Sequence, residues 1–133
     1  PAKVVLTNLI INQQSININE IVNGNIILNK SISNTNKLNL SHNEKLISIE
    51  FASSNIMNSK SINYRYKLVG YEDRWNQVTS DQRFAIYSNL NTGSYTLLID
   101  CDNGDNNWNF KRMTIIKKKQ QQCKSMKADT AVV

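Results

Sequence analysis

The stretch "LNTGSYTLLIDC", Leu90–Cys101, sets the reading of the whole chain. It opens on turn residues and then alternates. Tyr95, Leu97, Ile99 and Cys101 share one side; Thr96, Leu98 and Asp100 share the other. Side chains of an extended backbone point alternately to opposite faces, so this pattern predicts a strand with one dry face. Gly93 stands two residues ahead of Tyr95, where a glycine can take a left-handed turn at little steric cost.

The same alternation recurs outward in both directions. "SINYRYKLVG" (Ser61–Gly70) places Ile62, Tyr64, Tyr66 and Leu68 on one face and Asn63, Arg65 and Lys67 on the other. Strands are also expected over Lys3–Asn12, Ser15–Ile18, Asn25–Leu28, Arg83–Leu90 and Trp108–Ile116. Lys37–Ser41 and Lys45–Ser53 flank the polar turn Ser41–Glu44 and read as a hairpin. Asn23-Gly24 is a turn dipeptide, Tyr71–Gln82 a polar loop and Asp102–Asn107 a turn cluster. The single proline is residue 1, so no strand is barred from a central place in a sheet. Short strands separated by turn signals every ten residues or so predict an all-β sandwich or small barrel.

The chain has 133 residues, of which 40% are hydrophobic, which suits one folded domain. No apolar run approaches the ~20 residues of a membrane-spanning helix, and no charged-then-apolar leader pattern opens the chain. The net charge of +6 is a local matter. Residues 1–110 carry nine bases and nine acids, whereas residues 111–133 carry seven bases and only Asp129. The expected organisation is therefore a sandwich over residues 1–116 and a basic tail over 117–133. No aromatic is interleaved in that tail for base stacking, so no nucleic-acid partner is expected.

Few residues offer chemistry. His42, the one histidine, lies in the Ser41–Glu44 turn with no nucleophile or metal-ligand spacing around it. Asp100, Asp102 and Asp105 cluster around Gly104, but position 111 is lysine where a calcium loop needs its bidentate glutamate. Glu72 and Asp73 are adjacent and point apart in extended backbone. Cys101 continues the inward parity of its strand and is expected as a buried thiol; a bond to Cys123 would need an oxidising compartment. No catalytic, cofactor-binding or metal-binding residues are predicted, and no enzyme. Tyr71, Trp75 and Trp108 form the one candidate ligand surface, as a stacking platform for sugars. The competing reading has Trp75, Trp108, Tyr71 and Tyr87 plugging the ends of the core.

Several pieces together carry a family resemblance: Leu38–Ser41, "IEFAS" (Ile49–Ser53), "YRYKLVGYEDRW" (Tyr64–Trp75), "YSNLNTGSY" (Tyr87–Tyr95) and "NGDNNW" (Asn103–Trp108). In this order and spacing the chain resembles the Y_Y_Y domain of bacterial hybrid two-component sensors, which are common in gut Bacteroides. The resemblance covers about Lys3 to Ile116. It implies an immunoglobulin- or fibronectin III-like antiparallel β-sandwich of seven to nine strands. It further implies a periplasmic, non-catalytic module that follows β-propeller repeats and precedes a transmembrane helix and a histidine kinase. Such a module would act as a homodimeric relay for a carbohydrate signal read mainly by the propellers. A stand-alone carbohydrate-binding or adhesion sandwich is the alternative. The structural positions implied are Tyr64, Tyr66, Gly70, Trp75, Tyr87, Leu90, Gly93, Tyr95 and Trp108. In sandwiches of this kind a tyrosine at the corner before a central strand turns its hydroxyl back to upstream backbone, the role expected of Tyr95. The chain departs from the family after Ile116, where "KKKQQQCKSMKADTAVV" stands in place of a Pro- and aromatic-rich step.

Overall fold

The computed structural model describes residues 3–54, 62–102 and 109–119. Its strands are β1 (Val4–Ile11), β2 (Gln14–Ser15), β3 (Ile21–Val22), β4 (Asn25–Ile26), β5 (Lys37–Leu40), β6 (Leu46–Ser53), β7 (Asn63–Val69), β8 (Asn76–Val78), β9 (Phe84–Ser88), β10 (Gly93–Asp102) and β11 (Asn109–Lys117). They form a four-stranded sheet ordered β2-β1-β6-β9, a five-stranded sheet ordered β5-β11-β10-β7-β8, and the small β3-β4 hairpin. The expected all-β sandwich is the observed fold.

The sandwich follows from the alternation. Leu6, Leu9, Ile47, Ile49, Phe51 and Ala85 face inward from the first sheet; Leu38, Tyr64, Leu68, Leu97, Ile99 and Met113 meet them from the second, all buried. Each leucine, isoleucine, phenylalanine or methionine among them contributes about 1.5–3 kcal/mol on leaving water. On β1 the inward residues are Val4 and Leu6, then Leu9 and Ile11, because a bulge between Leu6 and Asn8 resets the parity.

Several elements differ from the sequence expectation. β5 and β6 are not a hairpin. β5 pairs in parallel with β11, while β6 lies between β1 and β9 in the other sheet. The Ser41–Glu44 turn thus crosses the sandwich, and β5 with β11 is the one parallel pairing among the described strands. The Ser15–Ile18 strand reduces to Gln14–Ser15, paired back on β1. The intervening Asn12 (φ 50°) and Gln13 (φ 71°) are both left-handed, as a type I′ hairpin turn requires. Asn23 (φ 49°) and Gly24 (φ 86°) make the second such turn, joining β3 to a β4 that stops at Ile26. The loop expected over residues 71–82 contains β8, antiparallel to β7. β11 runs one residue past Ile116, to Lys117. The Asp102–Asn107 turn lies largely outside the described residues, and Cys123 and Asp129 wholly so.

Candidate functional site

The corner ahead of β10 is built from the preceding loop and from the end of β7. The Tyr95 hydroxyl donates to the Asn91 carbonyl at 2.6 Å, and the ring packs against Gly70, just past the end of β7. Gly70 has φ 101°, and a Cβ there would stand 3.2 Å from Tyr95 Cδ2. Leu90 is buried beneath the corner. The left-handed residue of the corner is Asn89 (φ 52°) rather than Gly93, whose φ of 159° borders on extended backbone and opens β10.

A separate chain of aromatic contacts runs through the sandwich. Tyr64 packs on Phe51 with ring centroids 5.5 Å apart. Phe51 meets Tyr66 at 6.2 Å, Tyr66 meets Tyr87 edge-on at 6.0 Å, and Tyr87 meets Tyr71 edge-on at 5.5 Å. The polar ends are accommodated: Tyr64 accepts the Ser53 N–H at 3.0 Å, and Tyr87 donates to the Glu72 carboxylate. Burial, and for Tyr87 the adjoining carboxylate, holds the phenols of Tyr64, Tyr66 and Tyr87 above their ordinary range. Glu72 also accepts the Leu68 N–H at 2.9 Å and the Asn76 side-chain amide at 3.0 Å. It therefore closes the β7-β8 connection onto β9.

Trp75 lies on the opposite side of β7. Arg65 and Lys67 alternate outward from the core, and their cationic groups stand 4.2 and 4.8 Å from the Trp75 ring centroid. Phe110 lies 6.4 Å from it, centroid to centroid. Trp75 is thus an outer-face residue rather than a core plug. Tyr71 is 54% exposed and packs on Tyr87. Tyr71 and Trp75 share no described ring neighbour, and Trp108 lies outside the described residues. Next to Trp75, Arg65 Nε donates to Asp100 at 2.9 Å. Asp100 is fully buried and its Oδ1 accepts no hydrogen bond among the described residues. Burial raises its carboxyl above the ordinary range, and Arg65 opposes that shift. Cys101, beside it, is a buried free thiol that burial likewise pushes up.

The last described contact network joins the chain's exit to the sheet crossing. Glu44 is 1% exposed. Its carboxylate accepts from the Ser41 N–H at 3.0 Å, the Ser41 hydroxyl at 2.8 Å and the Asn23 amide at 2.9 Å. Lys117, the final residue of β11, is buried and donates from Nζ to the Glu44 carbonyl at 2.6 Å. Burial lowers the Lys117 ammonium from its ordinary value, and the charge of Glu44 partly restores it.

Glu44, Glu72 and Lys117 were not singled out as structural residues from the sequence. The Ser41-x-x-Glu44 spacing, that of a reciprocal capping box, was the available signal for the first. Lys117 sits where the alternation of β11 points inward, after Met113 and Ile115. Among the described residues no three His, Cys, Asp or Glu side chains gather as metal ligands, and no helix is long and apolar enough to cross a membrane.

Residues 56–118 match the model of the Y_Y_Y domain family. Over 107 residues the chain is 35% identical to a protein named histidine kinase P4 from Formosa agariphila, covering 80% of this chain and 7% of that protein. Among solved structures it resembles an extracellular domain of B. thetaiotaomicron described as belonging to a one-component system, BT4673. The TM-score is 0.76 at 23% identity, over 90% of this chain and 16% of that one. It also resembles the extracellular domain of BT3049, described as a hybrid two-component system of the same organism. There the TM-score is 0.66 at 19% identity, over 87% of this chain and 15% of that one. At these identities the structural likeness concerns the fold.

Proposed function

The segment from 56 to 118 belongs to the Y_Y_Y domain family, and on that premise we propose that this chain is a non-catalytic periplasmic module of a two-component sensor. The observation that carries the reading is one of proportion. The chain matches over most of its own length but spans only 7% of the relative named a histidine kinase. A sandwich that matches so small a share of a long sensor is one module among several. We assign the others as β-propeller repeats upstream and a transmembrane helix and kinase downstream.

The proposed action is a dimer rearrangement. A relay biases two arrangements of packed units rather than deforming one. β11 suits this task. It is held by β10 along nine paired positions and by β5 on its other side, and Lys117 fastens its end to the sheet-crossing turn. A displacement imposed on the sandwich therefore reaches the residues after Lys117 as a rigid-body movement. The signal is proposed to be an oligosaccharide bound chiefly by the upstream modules.

Two measurements test this. The full parental sequence is expected to show propeller-type repeats before the chain and an apolar ~20-residue helix with a kinase after it; a parent lacking both would remove the reading. Sedimentation of the longer periplasmic region is expected to show association that changes with oligosaccharide, and a monomer under all conditions would remove the dimer relay.

The outward position of Trp75 favours a second reading, a sugar-binding module. Calorimetric titration of the 133-residue chain with oligosaccharides separates the two. The relay reading expects no heat. Heat lost in Trp75→Ala would make the module itself the binder.

A further inference from the structure

A cleft of about 490 Å³ opens between the segment 19–30, which carries the β3-β4 hairpin, and the edge strand β5. Small-molecule sites span roughly 300–1,000 Å³. Asn19, Asn29, Asn36 and Asn39 line the cleft with four carboxamides, and Lys30 and Lys37 add two ammonium groups. No acidic side chain lines it among the described residues. Glu20, next to Asn19 in the chain, is turned to the Asn17 N–H at 2.8 Å. None of the four amides has a hydrogen-bond partner among the described residues. Ile27 and Ile26, the latter 53% exposed, form the apolar part of the wall.

Bonds that leave these side chains free hold both walls in place. Asn19 is left-handed (φ 62°), and its N–H donates to the Leu28 carbonyl at 2.7 Å. Thr35 is buried and donates from its hydroxyl to the Ser31 carbonyl at 2.7 Å. The Asn36 carbonyl accepts the Thr114 N–H of β11 at 2.9 Å. On β5 the alternation buries Leu38 and Leu40 and turns Lys37 and Asn39 outward, about 7 Å apart.

We propose that this cleft binds a small anion carrying several hydroxyl groups, the class of sugar acids and sugar esters. A carboxamide both donates and accepts, as a hydroxyl does, so four free amides match a polyol better than cations alone would. Lys30 and Lys37, with no acid between them, select negative charge. Ile26 and Ile27 offer a surface to the C–H edges of a ring. No aromatic lines the cleft for base stacking, so a nucleic acid does not suit it. The lysines and amides are exposed, and each bond competes with water, so the dissociation constant is on the order of 1 mM. The cleft is separate from Trp75, and neither reading above depends on it.

The test follows amide NMR shifts of the full 133-residue chain at low salt. The probes are glucuronate, glucose 6-sulfate, glucose and inorganic sulfate, each taken to about 20 mM, well above the expected dissociation constant. Saturating shifts confined to residues 19–30 and 35–39 are expected with at least one of the two sugar anions, and the tighter one identifies the charged group recognised. Glucose is expected to bind about ten-fold more weakly, and added salt to weaken the anions by screening. Lys30→Gln and Lys37→Gln should each weaken the anion about three-fold, and Asn39→Ala about five-fold. All three side chains are exposed, and far-UV circular dichroism checks the fold of each variant. No shift with either sugar anion overturns the proposal. So does glucose binding as tightly as the anions, or inorganic sulfate matching them, since the first removes charge selection and the second removes hydroxyl recognition. Shifts centred on Trp75 and Lys67 also overturn the cleft and favour the sugar-binding reading above. So weak a site gives negligible heat in the calorimetric titration with oligosaccharides, so the relay is judged there and the cleft here.

Discussion

The hydroxyl of Tyr95 donates to the carbonyl of Asn91, four residues upstream, at 2.6 Å. The ring that carries it is 7% exposed and rests against Gly70 at the end of β7. One side chain thus ties the start of β10 to the corner before it and to the neighbouring strand. Tyr95→Phe keeps the ring and removes the donor, leaving the carbonyl to find water at a partly closed site. The expected loss is about 1–2 kcal/mol in urea unfolding at an unchanged m-value. A midpoint equal to that of the parent chain would show that the corner bond contributes nothing.

Gly70→Ala attacks the same corner from its other side. Gly70 has φ 101°, which side chains rarely adopt, and an added Cβ would stand 3.2 Å from Tyr95 Cδ2 and 3.4 Å from the Ser94 carbonyl oxygen. A cost of about 1–3 kcal/mol follows from the backbone strain. Because Gly70 and Tyr95 touch, the double variant with Tyr95→Phe should depart from additivity, which a double-mutant cycle measures.

Glu44→Ala removes a buried carboxylate that three donors address. Hydrogen bonds to a charged group contribute about 1.5–3 kcal/mol each, and donors left unsatisfied in the interior add to the loss. A destabilisation of about 2–4 kcal/mol is expected. Hydrogen exchange should rise first at the β3-β4 hairpin, through Asn23, and at the sheet-crossing turn, through Ser41. Exchange spread evenly over both sheets would contradict this local role.

Stability should fall at alkaline pH. The phenols of Tyr64, Tyr66 and Tyr87 are raised above 10.0 by burial. Below pH ~10 these groups are protonated in both states, and their contribution is fully present. Above it the unfolded chain releases protons that the folded chain retains, so stability declines as pH rises toward the folded values. Lys117 acts in the opposite sense, since its lowered value makes folding easier as pH climbs toward 10.5, but it is one group against three phenols and the Cys101 thiol, which burial also raises. Denaturant midpoints between pH 8 and 11 check this, and Tyr87→Phe should flatten the decline by its own share.

The sequence by itself determined what depends on near neighbours. Period-two alternation marked β1, β6, β7, β9, β10 and β11 because a pleated backbone turns successive side chains to opposite faces. Asn23-Gly24 marked its hairpin because both positions are left-handed. Gly93 was given the left-handed turn that Asn89 makes, since asparagine tolerates that conformation too.

Tertiary structure alone decided which strands pair. An alternating strand offers the same apolar face and the same backbone donors to any partner. Lys37–Leu40 and Leu46–Ser53 therefore looked like a hairpin and became members of opposite sheets. What separates them is the buried Glu44, whose donors come from Ser41 and from Asn23 in another hairpin, and the parallel pairing of β5 with a β11 more than seventy residues away. Trp75 likewise went outward because the alternation of β7 had already placed Arg65 and Lys67 there to receive its ring. Local patterning fixes which side of a strand is dry; only the packing of distant segments fixes what lies against it.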